Sequence, residues 1–176
     1  MADPREALIA AARRSVELGL NAGTVGNFSL RHGQGMLLTP TGIAPAEMMP
    51  DQIVEMDLQG GWAGAWRPSS EWAIHARIYQ TTAAGAVVHC HPDHCVALSA
   101  LQRPIPPFHY MVAGFGGSSI PCARYACFGS TDLAEAVDVA LADGPPVDEL
   151  DAHLERALRG AQELVLVDAQ RAVELG

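Results

Sequence analysis

Two short apolar segments joined by a glycine-containing turn constrain the fold of this chain most strongly. Residues 28–31 and 36–39 flank a turn that contains Gly33 and Gly35, a pattern typical of an antiparallel β-hairpin. A third strand is predicted at residues 53–58, before any alternation of strand and helix begins. This order favours a mixed or antiparallel sheet over a doubly wound parallel sheet. We therefore predict an α/β fold of the α+β type, with helices covering the central sheet.

Capping residues predict where the helices begin, because Ser, Asp and Asn side chains accept hydrogen bonds from the first N–H groups of a helix. Helix starts are predicted, in chain order, at Asp3-Pro4, at Ser69 or Ser70, at Pro92-Asp93 and at Ser130. A last helix is predicted from about Val147 to Leu175. With 176 residues, the chain is predicted to form a single domain, residues 1–176, with a substantial core.

The charge and hydropathy of the chain exclude several classes of partner. The formal net charge is −9 and arginine is the only strongly basic residue, so a surface for nucleic acid or anionic membrane is not expected. No apolar stretch reaches the ~18–20 residues of a membrane-spanning helix, and the N-terminus lacks a signal-peptide pattern, which predicts a cytoplasmic protein. Since the chain contains no lysine, it cannot use a lysine Schiff base for carbon–carbon chemistry.

A pair of histidines marks the candidate metal site. His89 and His91 follow the apolar residues 86–88, and side chains two apart on a strand point to the same side of the sheet. Two imidazoles in this arrangement can bind one Zn²⁺ or another divalent cation. Glu71, which opens the preceding helical segment, adds a carboxylate that is either a ligand or a general base. We therefore predict a metal ion as the electron sink.

Three short loops of small polar residues form a candidate phosphate site. Each loop alone is typical of an ordinary turn, but together their N–H and O–H groups can hold a phosphate without a cation. The candidate phosphate-binding residues are Gly26, Asn27, Thr41, Gly42, Ser69 and Ser70. Tyr110 is a candidate acid for a leaving alkoxide, and a packed aromatic residue is an equally good interpretation of it.

Several motifs that occur in one order resemble a known family. They are residues 23–31 (GTVGNFSLR), 38–43 (LTPTGI), 68–72 (PSSEW), 86–91 (AVVHCH), 109–111 (HYM), 119–123 (SIPCA) and 128–129 (FG). The similarity covers roughly residues 5–142 and, more weakly, the predicted last helix. On these motifs the chain resembles the class II aldolase/adducin family, and most of all its L-fuculose-1-phosphate aldolase branch.

The resemblance implies a three-layer sandwich and a zinc-dependent retro-aldol reaction on a ketose 1-phosphate. Its products would be dihydroxyacetone phosphate and an aldehyde. The resemblance assigns His89 and His91 to zinc and Glu71 to the catalytic acid/base, and the six loop residues fall on phosphate-binding positions. Tyr110 falls on a tyrosine that reaches the active site of a neighbouring subunit. A homotetramer with sites at subunit interfaces is also implied.

One departure from the family pattern concerns the third metal ligand. The resemblance implies a strand and a His-Gly turn between the helix that ends near Leu141 and the last helix, whereas residues 141–148 are predicted to pass directly to that helix. His153 aligns with the last helix instead. The open explanations are a deletion, a loop absent from the printed sequence, and a different ligand set in which Glu71 completes a His₂Glu site.

Two other functions remain as alternatives to the aldolase. One is a phosphosugar epimerase or dehydratase on the same scaffold. The other is a non-catalytic, adducin-like interaction domain. The missing third histidine favours the interaction domain, whereas the presence of Glu71, His89 and His91 argues against it.

Overall fold

The computed structural model describes residues 3–108, 119–143 and 166–167, which contain one five-stranded sheet and four α-helices. The helices are α1 (Pro4–Glu17), α2 (Trp72–Thr81), α3 (Asp93–Ala100) and α4 (Thr131–Ala142). The strands are β1 (Asn27–His32), β2 (Gly35–Leu38), β3 (Val54–Asp57), β4 (Ala86–Cys90) and β5 (Leu166–Val167). Two 3₁₀ turns, Pro45–Glu47 and Pro50–Gln52, lie between β2 and β3.

The sheet has the strand order β3-β2-β1-β4-β5 and is mixed. The pairs β1–β2, β2–β3 and β1–β4 are antiparallel, whereas β4 and β5 are parallel. The predicted hairpin is β1–β2, in which His32 lies opposite Gly35. In the β1–β4 pair, Asn27 lies opposite His89, so the start of β1 meets the end of the strand that carries a candidate metal ligand.

Helices cover both faces of the sheet over two separate hydrophobic clusters. Along β2, Met36 and Leu38 pack in the cluster that contains α2 and α4, whereas Leu37 packs in the cluster that contains α1. This division follows from the two-residue period of a strand. All three side chains are fully buried, and each such burial contributes about 1.5–3 kcal/mol to folding. The predicted three-layer fold is confirmed by this arrangement and by the structures it matches.

The helix caps agree with the sequence at two positions and differ at a third. The Asp3 side chain accepts a hydrogen bond from Arg5 N, and the Ser130 side chain accepts one from Leu133 N, as predicted. The prediction that Ser69 or Ser70 caps α2 is wrong, because the N-cap residue is Glu71 and its side chain makes no capping hydrogen bond. The Glu71 carboxylate is instead turned toward neighbouring strands.

The predicted last helix is wrong at residues 166–167, which form β5. Leu166 lies opposite His89 and Val167 opposite Cys90, in parallel pairing with β4. The other residues of that predicted helix lie outside the described residues. Among the helices that the structure describes, none has both the length and the apolar character needed to cross a membrane.

Candidate metal centre

β4 and the start of α2 bring three potential metal ligands together. His89 lies in β4 and His91 directly follows its end, and their ring centroids are 4.6 Å apart. Glu71 lies at the N-cap of α2. One ligand atom from each of Glu71, His89 and His91 lies within 4.8 Å of the other two. The structure therefore makes neighbours of the three residues that the sequence proposed for metal binding and acid/base chemistry.

Hydrogen bonds hold the Glu71 carboxylate against His89. Oε2 of Glu71 lies 2.9 Å from His89 Nδ1 and accepts a 3.0 Å hydrogen bond from Asn27 Nδ2. Glu71 is 7% and His89 3% exposed. Burial acts to raise the pKa of Glu71, but the hydrogen bond and charge of His89, together with the Asn27 hydrogen bond, outweigh it and lower the pKa. The carboxylate is therefore ionised at neutral pH.

This donor set fits a divalent metal ion. Two imidazoles and one carboxylate form one of the ligand sets found at catalytic zinc sites, which keep a further position for water or substrate. The ionised carboxylate supplies negative charge, and imidazole binds such ions in its neutral form. Glu71, His89 and His91 are thus the residues that could hold the ion, and Zn²⁺ remains the predicted metal.

The family pattern places a third histidine ligand in a His-Gly turn, and the sequence does not have that turn at the corresponding position. β5 shows that a strand does follow α4, so the prediction of a direct passage to the last helix is wrong. The residues after β5 in the sequence are Asp168 and Ala169, not His-Gly. His94 on α3 is exposed and does not belong to the ligand group. Tyr110 and His153 lie outside the described residues, and the role of Tyr110 stays a prediction.

Backbone hydrogen bonds join two of the predicted phosphate loops. Two bonds of 3.1 Å connect residues 39–41 with residues 67–69. Three predicted phosphate-binding residues are exposed in these loops, namely Thr41, Gly42 and Ser70. Ser69 is buried, and its Oγ accepts a 3.3 Å hydrogen bond from Glu71 N. The chain therefore runs directly from the candidate phosphate loops into the candidate metal ligands.

Thr39 connects the third predicted loop to the other two, a role that the sequence did not indicate. Its Oγ1 accepts a 3.0 Å hydrogen bond from Phe28 N, and its own N–H donates to Phe28 O. Its carbonyl accepts the hydrogen bond from Ser69 N. Thr39 is 1% exposed, so these bonds are shielded from water. In the sequence, the feature that could have indicated this role is a threonine before a proline, and that feature is typical of many ordinary turns.

Asn21 is a second buried residue that the sequence did not single out. Its Oδ1 accepts a 3.0 Å hydrogen bond from His91 N, and its Nδ2 donates to Ser15 Oγ and lies 3.4 Å from Cys90 Sγ. Asn21 thereby fixes the backbone that carries one of the histidines. Its position between a helix and a glycine-rich segment is typical of any loop residue, so the sequence gave no specific signal.

Replacing Gly26 by alanine is expected to destabilise the protein more than the same change at Gly33. Both glycines have positive φ, +82° and +56°, so each alanine is strained by about 1–2 kcal/mol. A Cβ at Gly26 would also collide with the Asn21 side chain, whereas one at Gly33 meets nothing within 4 Å. The collision should add about 1–3 kcal/mol. Urea unfolding of both variants measures the difference, and equal losses would contradict it.

The fold and a candidate metal site at the end of an interior strand of a mixed sheet are typical of a metal-dependent enzyme. The model of the class II aldolase and adducin N-terminal domain family matches residues 6–168. The chain belongs to this family.

Curated relatives and a solved structure agree with this assignment. The chain is 46% identical over 155 residues to L-fuculose phosphate aldolase from Escherichia coli O6:H1 (strain CFT073), covering 84% of the chain and 72% of the relative. It is 48% identical over 131 residues to the 5-methylthioribulose-1-phosphate/5-deoxyribulose-1-phosphate aldolase of Rhodospirillum rubrum, covering 74% and 59%. A solved L-fuculose 1-phosphate aldolase matches with a TM-score of 0.76 at 29% identity, covering 99% of this chain and 95% of that one.

These findings confirm the predicted family, the fold and the enzyme class, a class II aldolase. The curated relatives extend beyond the matched segment, which spans 59% to 72% of their lengths in the two cases above. The metal, the sugar and the assembly are therefore matters of proposal.

Proposed function

We propose that the chain catalyses the zinc-dependent retro-aldol cleavage of a ketose 1-phosphate to dihydroxyacetone phosphate and an aldehyde. The observation that carries this proposal is the grouping of the ionised Glu71 carboxylate with His89 and His91, each offering a ligand atom within 4.8 Å of the others. The names of the aldolase relatives support fuculose- or deoxyribulose-1-phosphate as the substrate.

The reaction breaks the bond between C3 and C4 of the sugar. The C4 hydroxyl loses its proton as the aldehyde forms, and the electron pair of the broken bond passes to C3, which then takes up a proton. A bound divalent ion would polarise the C2 carbonyl and stabilise the negative charge that develops on its oxygen. We assign the proton exchange at C3 to Glu71 and that at the C4 hydroxyl to Tyr110.

The contacts of Glu71 suit it to this role. His89 and Asn27 both bind Oε2, so the orientation of the carboxylate is fixed before substrate arrives. The low exposure of Glu71 excludes competing water from the proton transfer. The low pKa of Glu71 keeps the carboxylate in its basic form at neutral pH, which is the form that removes the C3 proton in the reverse, condensation direction. In the cleavage direction the same carboxyl group returns that proton to C3.

The phosphate of the substrate is assigned to the three loops described above. Its proposed ligands are the N–H and O–H groups of Gly26, Asn27, Thr41, Gly42, Ser69 and Ser70. We further propose a homotetramer in which Tyr110 reaches the site of a neighbouring subunit. The proposed phosphate site does not need a lysine, and the chain has none.

Removal of the metal is expected to abolish cleavage. The protein is incubated with fuculose-1-phosphate or deoxyribulose-1-phosphate, and dihydroxyacetone phosphate is measured with and without a chelator. Cleavage should disappear with chelator and return when Zn²⁺ is added in excess. Cleavage that survives chelation at zero bound metal would overturn the mechanism. An altered sugar without release of dihydroxyacetone phosphate would favour an epimerase or dehydratase, and an inert protein well below one zinc per chain would favour an interaction domain.

A further inference from the structure

A buried chain of hydrogen bonds lies behind the metal ligands, and three of its members, Ser29, His75 and Tyr79, have no part in the function proposed above. It joins α2 to β1. His75 Nδ1 is 2.7 Å from Ser29 Oγ, which is 2.8 Å from the Tyr79 hydroxyl, and His75 Nε2 is 2.5 Å from Asn27 Oδ1. His75 is 0% exposed, and Asn27 and Ser29 are also buried. Because these polar groups are buried, each hydrogen-bond donor among them must face an acceptor.

The Glu71 carboxylate determines which atoms donate and which accept along these hydrogen bonds. An ionised carboxylate only accepts hydrogen bonds, so the Asn27 group that faces it must be the NH₂, and Oδ1 must face His75. His75 Nε2 therefore carries the ring hydrogen and donates it to Asn27 Oδ1. Nδ1 of His75 is then an acceptor, and the Ser29 hydroxyl donates to it.

His75 carries a single ring hydrogen at neutral pH. Burial, followed by the charge of nearby His89, lowers the pKa of His75 to about 3, although the charge of Glu71 acts in the opposite sense. With one hydrogen, the ring has two tautomers. The Nδ1–H tautomer would direct the Nε2 lone pair at the Asn27 oxygen. The amide would then have to rotate and turn its oxygen toward the Glu71 carboxylate, where the two would repel.

The same amide oxygen also contacts a proposed metal ligand. Asn27 Oδ1 is 3.2 Å from His89 Nδ1, which is itself 2.9 Å from Glu71 Oε2. Both of these neighbours are acceptors, so Nδ1 of His89 carries a ring hydrogen, and Nε2 is the nitrogen that would bind a metal. A metal-binding histidine commonly donates its other ring N–H to such an acceptor, and loss of that partner weakens the site.

We propose that His75 is a positioning residue that acts through Asn27, fixing the orientation of the Glu71 carboxylate and the tautomer of His89. Its effect on catalysis rests on the proposed aldolase function and its effect on metal affinity on the proposed metal site, whereas its effect on the amide rests on neither. Asn27 thus has a positioning role beside the phosphate-binding role predicted for it.

The tautomer of His75 tests this proposal without any enzyme assay. Long-range ¹H–¹⁵N spectra of the full chain, labelled at histidine nitrogens, distinguish Nδ1–H, Nε2–H and doubly protonated rings. His75→Gln identifies the His75 signals by their loss. The Nε2–H form at every pH from 5 to 9 is the expected result. An Nδ1–H ring, or a ring that titrates within this range, would overturn the proposal even if the protein proved to be a different enzyme.

Variants of His75 test the consequence for the site. His75→Leu removes both ring nitrogens, whereas His75→Gln keeps an N–H donor near the position of Nε2. We expect His75→Leu to lower kcat and the affinity for Zn²⁺, measured by chelator competition, by about 10–100-fold with little change in KM. His75→Gln should recover most of both losses.

Ile78→Val is the matched control, because Ile78 is equally buried on α2 and its apolar side chain makes no hydrogen bond. The substitution should cost about 0.5–1.5 kcal/mol of stability and leave zinc affinity and kcat unchanged. If Ile78→Val lost as much zinc affinity as His75→Leu, or if His75→Leu kept the zinc affinity of the native protein, His75 would be only a structural residue. Failure of cleavage in every protein, with the zinc-affinity pattern intact, would refute the aldolase function and leave the positioning role standing.

Discussion

Glu71→Gln is expected to lower kcat for cleavage of the ketose phosphate by about 10²–10⁴-fold, the range typical of lost general acid–base catalysis. Glutamine has nearly the same shape and can still accept the Asn27 hydrogen bond through its carbonyl oxygen. It can neither take up nor release a proton at neutral pH. Where the variant keeps its metal, the rate loss therefore comes from the missing proton transfer. Steady-state release of dihydroxyacetone phosphate measures it.

The metal content of the same variant separates the two roles that the sequence leaves open for Glu71. If Glu71 acts only as acid/base, Glu71→Gln keeps the metal content of the native protein and loses rate. If it is also the third ligand with His89 and His91, metal is lost together with activity. A kcat close to that of the native protein would contradict both roles.

His89→Ala and His91→Ala are expected to reduce bound Zn²⁺ to well below one ion per chain and to lower kcat by about 10²-fold or more. Each removes one imidazole from a group with three described ligands, and the Lewis-acid contribution of a metal is worth several kcal/mol. Metal analysis after gel filtration and the cleavage assay give the two readouts. His91 is less buried than His89, so its removal disturbs packing less.

His32→Ala is the control for these two variants. His32 ends β1 at the hairpin turn, is exposed, and lies at the opposite end of that strand from Asn27. It should keep the metal content and kcat of the native protein. Loss of zinc from His32→Ala to the same extent would show that the ion binds nonspecifically to histidines and that the group at β4 is not its site.

Local signals in the sequence were sufficient for the hairpin, for two helix caps and for the paired histidines. The hairpin follows from alternation around Gly33 and Gly35, and the caps at Asp3 and Ser130 depend on atoms two or three residues away. Such features need no knowledge of distant parts of the chain. The three-layer arrangement of the whole fold was predicted from the family motifs, because these local signals alone do not define it.

The errors lie where partners are distant in the sequence. β5 is stabilised by pairing with β4, more than 70 residues earlier, and the local sequence, which was interpreted as a helix, does not reveal that partner. The carboxylate of Glu71 faces Asn27, 44 residues away, and this contact depends on the β1–β4 register. The serines before Glu71 satisfy the usual rule for a cap, yet the helix starts one residue later than a cap at Ser70 predicts and two later than a cap at Ser69 predicts.

The antiparallel register of β1 and β4 has a consequence for how this protein can vary during evolution. Asn27 meets His89 across that pair, and because side chains alternate, a shift of one residue would turn Asn27 away from Glu71 and exchange the residues of the two hydrophobic clusters. A one-residue insertion or deletion within either strand would therefore disrupt folding and chemistry in a single event. Insertions between β3 and the loop at residues 67–69 avoid this register. Length differences among active relatives should therefore concentrate there, and the spacing within β1 and β4 should stay constant.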